Sequence, residues 1–153
     1  MAGDRYDQGN CAIALKQIRE TVEREGIDMV VGSSLGGFLT LLTMGIRRIV
    51  INPCYSPSQV LPKLEPHNGL PAPSAEMIAT YAECEPMLKA FPEEERQLVT
   101  AYFAEEDELL GDTYQKAFLE EITGFQIIPG GHHVSEDAVK QICYLHNSEH
   151  IYM

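Results

Sequence analysis

The chain is predicted to be an α/β protein, with a mostly parallel sheet covered by helices on both faces. Three observations carry this. Short apolar runs of strand length (27–31, 48–51, 98–103 and 125–128) alternate with longer stretches of helical periodicity. The runs are mostly apolar and do not alternate with polar residues, as in strands buried on both faces. Chain breakers such as Gly26, Gly45, Asn52-Pro53 and Gly124 stand between these segments.

Each element follows in order. Residues 1–9 are polar and read as a loop or frayed end. Cys11, Leu15, Ile18 and Val22 then recur at helical spacing, and Gly26 stops that helix. The strand at 27–31 leads to a helix over 35–44 that is apolar nearly all round, hence buried. The strand at 48–51 is closed by Asn52-Pro53. Pro57, Pro62, Pro66, Pro71 and Pro73 then crowd the chain, with Asn68-Gly69 among them. That density excludes long regular elements and predicts a lid or binding loop. Ser74 caps a helix reaching Leu88, and the stretch from Pro92 to Glu95 punctuates before the strand at 98–103. Asp112 caps a helix over 113–122, the strand at 125–128 follows, and Ser135 caps a last helix with Ala138, Val139, Ile142, Cys143 and Leu145 on its apolar face. The expected organisation is one domain over 1–153, with 54–90 inserted as a proline-rich lid or cap.

Bulk properties narrow the function. A chain of 153 residues buries enough surface to fold without disulfide staples. Cys11, Cys54, Cys84 and Cys143 are scattered and form no Cys-x-x-Cys pattern, which fits reduced thiols in a cytoplasmic protein. A net charge of −12 repels phosphate backbones and anionic bilayers, so nucleic-acid and membrane-surface roles are disfavoured. No apolar run reaches the length of a membrane span, and no basic segment precedes an apolar leader.

The most informative stretch is Val30-Val31-Gly32-Ser33-Ser34-Leu35-Gly36-Gly37. A strand enters a Gly-x-Ser-x-Gly turn and a helix leaves it, the context of a nucleophile elbow with Ser34 at the apex. An apex serine sits at positive φ, a strained state kept where function uses it. Gly32 and Gly36 lack Cβ atoms, so strand and helix can approach closely, and Gly37 adds room below the turn. The helix directs its N-terminal N–H groups at the site, and the N–H of Leu35 is the first expected oxyanion donor.

Active sites in open α/β sheets form at the carboxyl ends of strands. The strand at 98–103 runs into Glu105-Glu106-Asp107-Glu108, and the strand at 125–128 into Gly130-Gly131-His132-His133. The order is serine, acid, histidine, as in α/β-hydrolases. A serine hydroxyl needs an imidazole to accept its proton, and the imidazole needs a carboxylate to hold its tautomer. His133, just before the final helix, is expected to be the base in preference to His132. Asp107 is the favoured acid; its neighbours Glu105, Glu106 and Glu108 leave the choice open, since an acidic run is usually a solvated loop, and Asp112 is a second candidate whose position suits a helix cap better. Two adjacent histidines without a further ligand motif do not make a metal site, and no cofactor is called for. His146 and His150, spaced i, i+4, read as solvated.

With these residues in view, the chain resembles the small bacterial α/β-hydrolase-fold esterases of the YqiA/YcfP-like family. The resemblance runs through Gly32-Ser33-Ser34-Leu35-Gly36-Gly37, Asn52-Pro53, Asp107-Glu108-x-Leu110 and Gly130-Gly131-His132-His133, over roughly residues 10 to 150. It implies an esterase acting on short acyl esters without a metal, a triad of Ser34, Asp107 and His133, and a cap beginning after Cys54.

One departure stands out. Such hydrolases begin with an apolar strand ending in His-Gly, whose loop supplies the second oxyanion donor, and residues 1–9 offer no equivalent. The oxyanion site is then half built, and the strand at 27–31 is expected to expose an unpaired edge. Either an N-terminal part of the natural protein is missing, which is the favoured reading, or another chain or segment covers that edge, a second copy included. The leading expectation is a serine hydrolase of small esters or thioesters. The alternative is a non-catalytic binding module on a hydrolase scaffold. Tyr55, Leu61, Leu64, Met77, Tyr81 and Phe38 are candidates for an acyl pocket or for ordinary packing, and Cys54 for a small buried filler.

Overall fold

A computed structural model describes residues 6–66, 69–111, 125–146 and 151–152 of the chain. Helix α1 (Cys11–Glu25) leads into strand β1 (Met29–Ser33), helix α2 (Ser34–Leu41) and strand β2 (Arg47–Pro53). The short helix α3 (Pro57–Val60), a 3-10 turn (Leu61–Lys63), helix α4 (Ala75–Lys89) and the one-turn α5 (Glu93–Arg96) separate β2 from strand β3 (Val99–Ala104). Strand β4 (Phe125–Ile128), helix α6 (Glu136–Leu145) and strand β5 (Ile151–Tyr152) complete the described chain. The expected helix over 113–122 and its Asp112 cap lie outside the described residues.

Local chemistry sets most boundaries. The Asn10 side chain accepts the Ile13 N–H at 3.2 Å, and Gly26 closes α1 at φ 62°. Ser74 and Ser135 cap α4 and α6 as expected, accepting the N–H groups of Met77 and Ala138 at 3.1 and 3.2 Å. Between Pro57 and Lys63 the proline-rich stretch is more ordered than its composition implied. Pro57 begins α3 and Pro62 lies in the 3-10 turn, where a fixed φ suits the first residues of a helix.

The five strands form one parallel sheet in the order β4-β3-β2-β1-β5. Alternate side chains face opposite ways, and both faces are covered. Val30, Val50, Ala101 and Phe103 pack with Cys11, Ala14 and Ile18 of α1, Phe38 and Leu39 of α2, and Tyr81 and Leu88 of α4. Met29, Val31, Ile49, Ile51 and Tyr102 face Ile142 and Cys143 of α6. The expected α/β architecture, with helices on both faces, is therefore present.

Two expectations need correction. The edge of β1 is not bare: β5 pairs with it in parallel, Met29 against Ile151 and Val30 against Tyr152. A two-residue strand carries too little periodicity to be read from sequence. Among the described residues this pairing stops at Val30, and a cavity of about 450 Å³ lies beyond it beside Gly32, Ser33, Gly36, Tyr6 and Tyr152. His146 is not simply solvated either. It is half-buried as the C-cap of α6, with Nε2 2.9 Å from the Tyr102 hydroxyl. His150 lies outside the described residues.

Candidate active site

Ser34 stands where β1 turns into α2, at φ 52°. Among the described non-glycine residues, only Asn52 shares a positive φ. The glycines around the turn have identifiable tasks. A Cβ on Gly32 would collide with the Thr40 hydroxyl and the Gly36 carbonyl, so glycine there lets α2 fold back across β1. A Cβ on Gly37 would lie 2.8 Å from the Pro53 Cα, so glycine there lets α2 rest on the end of β2. Gly36 is less constrained: its Cβ would meet only the Tyr6 hydroxyl, at 3.5 Å. The Ser34 carbonyl is tied to β2 by the Cys54 N–H at 2.7 Å. Leu35 lies in the first turn of α2, where N–H groups have no acceptor within the helix.

A hydrogen-bonded chain runs from this serine. Ser34 Oγ is 3.0 Å from His132 Nε2, and His132 Nδ1 is 3.0 Å from both carboxylate oxygens of Asp107. An ionised carboxylate only accepts, so Nδ1 carries the proton toward Asp107 and the neutral ring presents Nε2 as acceptor to the Ser34 hydroxyl. The His132 and Asp107 side chains are only 3% and 8% exposed, so little water competes for these bonds. Asp107 Oδ1 also accepts the N–H groups of Leu109 and Leu110 at 3.0 and 2.9 Å, which fixes the carboxylate in its own turn.

Of the residues singled out from the sequence, the structure brings Ser34 and Asp107 into one constellation, and the histidine between them is His132 rather than the expected His133. His133 is exposed, with its ring edge-on to that of His132. The reason is local geometry. Gly130 turns at φ 105°, and the loop is then stitched to the acid loop. The Glu105 N–H donates to the Ile128 carbonyl, the Glu106 N–H to the Gly130 carbonyl and the His132 N–H to Glu108 Oε2, at 2.8, 3.0 and 2.9 Å. That pairing faces His132 inward and the next residue outward.

Two further residues escaped sequence reasoning. Glu108, read as part of a solvated acidic run, places its carboxylate under the histidine loop. The hydrogen bond from the His132 N–H holds its carboxyl below the usual carboxylate range. Asn52 is fully buried, accepts the Ala104 N–H at 2.7 Å and donates to the His132 carbonyl at 2.8 Å. The available signal was the Asn-Pro pair at a strand end. Of the residues that were candidates for an acyl pocket or for ordinary packing, Phe38, Leu61 and Tyr81 are buried in the main core, as is Cys54, the candidate filler.

The sequence pattern of an uncharacterised protein family, UPF0227, matches residues 5–145. Solved structures share the fold at low identity. A protein assigned as a lipase (lip1), from Acinetobacter baumannii AYE, superposes with a TM-score of 0.51 at 15% identity, covering 95% of this chain and 70% of the other. The 2-hydroxy-6-oxo-6-phenylhexa-2,4-dienoate hydrolase BphD from Rhodococcus sp. strain RHA1 gives 0.55 at 13% identity, covering 94% and 73%. Comparison with curated proteins finds no significant sequence match.

Proposed function

This chain belongs to the uncharacterised protein family UPF0227, and we propose that it is a serine hydrolase cleaving small carboxylic esters or thioesters. The observation that carries the reading is the continuous relay from the Ser34 hydroxyl through the His132 imidazole to the Asp107 carboxylate, with both links at 3.0 Å. Such distances lie within the contact range of a nucleophile, its base and the group that orients the base. The fold shared with hydrolases gives the reading a scaffold.

The chemistry follows the geometry. Ser34 Oγ attacks the acyl carbonyl while its proton passes to His132 Nε2. Asp107 holds the protonated ring in place and offsets its charge. The Leu35 N–H, at the positive end of α2, faces the developing oxyanion. His132 then returns the proton to the departing alkoxide or thiolate, leaving an acyl-serine. A water molecule gives a proton to His132 and attacks that ester, and Ser34 is regenerated as the carboxylic acid leaves.

A fluorophosphonate probe tests this directly, because it labels only an activated serine. The expected result is covalent labelling of the intact chain, lost in Ser34→Ala, with hydrolysis of p-nitrophenyl butyrate lost in parallel. Labelling of neither protein would leave the chain a binding module on a hydrolase scaffold, and equal labelling of both would remove Ser34 from the mechanism.

A further inference from the structure

We infer that Asn52 is a positioning residue for His132, holding the imidazole in line with Ser34 by gripping the histidine loop through its main chain. The inference deepens the serine-hydrolase reading and depends on it only for the kinetic consequence.

The grip arises where a ladder ends. Strands β2 and β3 are paired up to Ile51 against Tyr102. Pro53 has no N–H with which to continue, and Asn52, the next-to-last residue of β2, takes φ 44°, a conformation asparagine tolerates better than most residues. The side chain of Asn52 enters the space the ladder has vacated. Its Oδ1 takes the Ala104 N–H at 2.7 Å, on the strand that delivers Asp107. Its Nδ2 gives a proton to the His132 carbonyl at 2.8 Å, with a longer contact of 3.5 Å to the Gly131 carbonyl. One partner is an N–H and the other a C=O, so the amide has a single satisfying orientation.

A carboxamide suits this place. It combines a donor and an acceptor on one short stem, whereas a carboxylate has two acceptors and an alkyl group neither. The next two residues continue the same service. Pro53 supports Gly37 of α2, and the Cys54 N–H holds the Ser34 carbonyl. Three consecutive residues thus contact the segments bearing the nucleophile, the acid and the base.

His132 needs such a grip because Gly130-Gly131 precedes it. Glycine has the largest conformational freedom to lose, so this loop does not hold a ring position by itself. Glu108 fixes the N–H of His132 and Asn52 fixes its carbonyl, one on each side of the Cα.

The test compares wild type with Asn52→Asp, which keeps the size, the tolerance of positive φ and the acceptor for Ala104, but sets an acceptor against the His132 carbonyl. Two readouts are used on the full chain. One is the proton NMR signal of the hydrogen between His132 Nδ1 and Asp107. The other is the rate of fluorophosphonate labelling, measured with and without His132→Ala. Asn52→Asp should remove or shift the bridging signal and slow labelling by about 10- to 100-fold. In the His132→Ala background it should slow labelling no further. An unchanged signal with labelling within about twofold of wild type, or equal slowing in both backgrounds, overturns the proposal. If circular dichroism shows Asn52→Asp unfolded, Asn52→Gly, which also accepts positive φ, takes its place with the same expected outcomes. A wild-type chain that fails to label at all removes the hydrolase reading, while the bridging signal still decides the role of Asn52.

Discussion

The imidazole rings of His132 and His133 lie 5.3 Å apart and nearly perpendicular, at 82°. The chain bends at both residues, and His132 is buried while His133 is exposed. Only one ring of the pair can therefore reach Ser34, and it is His132, with Nε2 at 3.0 Å.

This asymmetry separates the two histidines in function. His132→Ala should lower ester hydrolysis by about 10³-fold or more, the scale at which loss of a triad member acts. His133→Ala should stay within about threefold of wild type, because an exposed ring outside the relay supplies no transition-state interaction. Initial rates with p-nitrophenyl butyrate decide between them, and a reversed order of the two variants would return the base to His133.

Gly37 should tolerate no side chain. An added Cβ would lie 2.8 and 2.9 Å from the Pro53 Cα and Cβ, and neither α2 nor the end of β2 can give way cheaply. Gly37→Ala is expected to destabilise the fold by about 1–3 kcal/mol, the usual cost of overpacking. Urea unfolding followed by circular dichroism measures it, and a midpoint equal to wild type would mean that α2 lifts without resistance.

Glu95 neutralises the fully buried guanidinium of Arg48, at the start of β2. Burial pulls the Arg48 pKa below its usual value, while Glu95 opposes that shift. The guanidinium also donates to the Leu41 and Thr43 carbonyls at 2.8 and 3.1 Å, so it is locked in place. Glu95→Ala should cost about 3–5 kcal/mol, since it strands a buried charge. Calorimetric Tm and urea midpoint should both fall. A loss below about 1 kcal/mol would mean that water reaches Arg48 readily.

His146 makes stability depend on pH. Burial, and secondarily the charge of Arg47, hold its imidazole below its ordinary value of 6.5. The neutral ring sits with Nε2 beside the Tyr102 hydroxyl, which can donate to it. The unfolded chain therefore takes up this proton before the folded one. The contribution is fully present above the ordinary value and is lost as pH falls from there toward the folded-state value. Urea midpoints measured from about pH 7.5 to about pH 5.5 should decline in wild type. His146→Gln, which cannot take up the proton, should flatten that decline, and an identical slope in both proteins would assign the effect to other groups.

Much of this molecule was legible in one dimension. Apolar periodicity marked α1, α4, α6 and four of the five strands, because burial against a sheet selects side chains at regular spacing. Glycine and serine chemistry marked the elbow, since a tight turn between strand and helix is a local requirement satisfied within a few residues. Ser34 and Asp107 could be named from that pattern and from their places after strands. His132 against His133, Asn52 and Glu108 could not. Which face of a two-residue loop points inward depends on hydrogen bonds to chain segments some 24 and 80 positions away. A buried amide that ends one ladder while holding another loop leaves no periodic trace. The short β5 was hidden for the same reason: two residues become a strand only because the edge of β1 is there to receive them. Local conformational preference is written along the chain, whereas the aim of a catalytic side chain is set by contacts that exist only once distant segments have met.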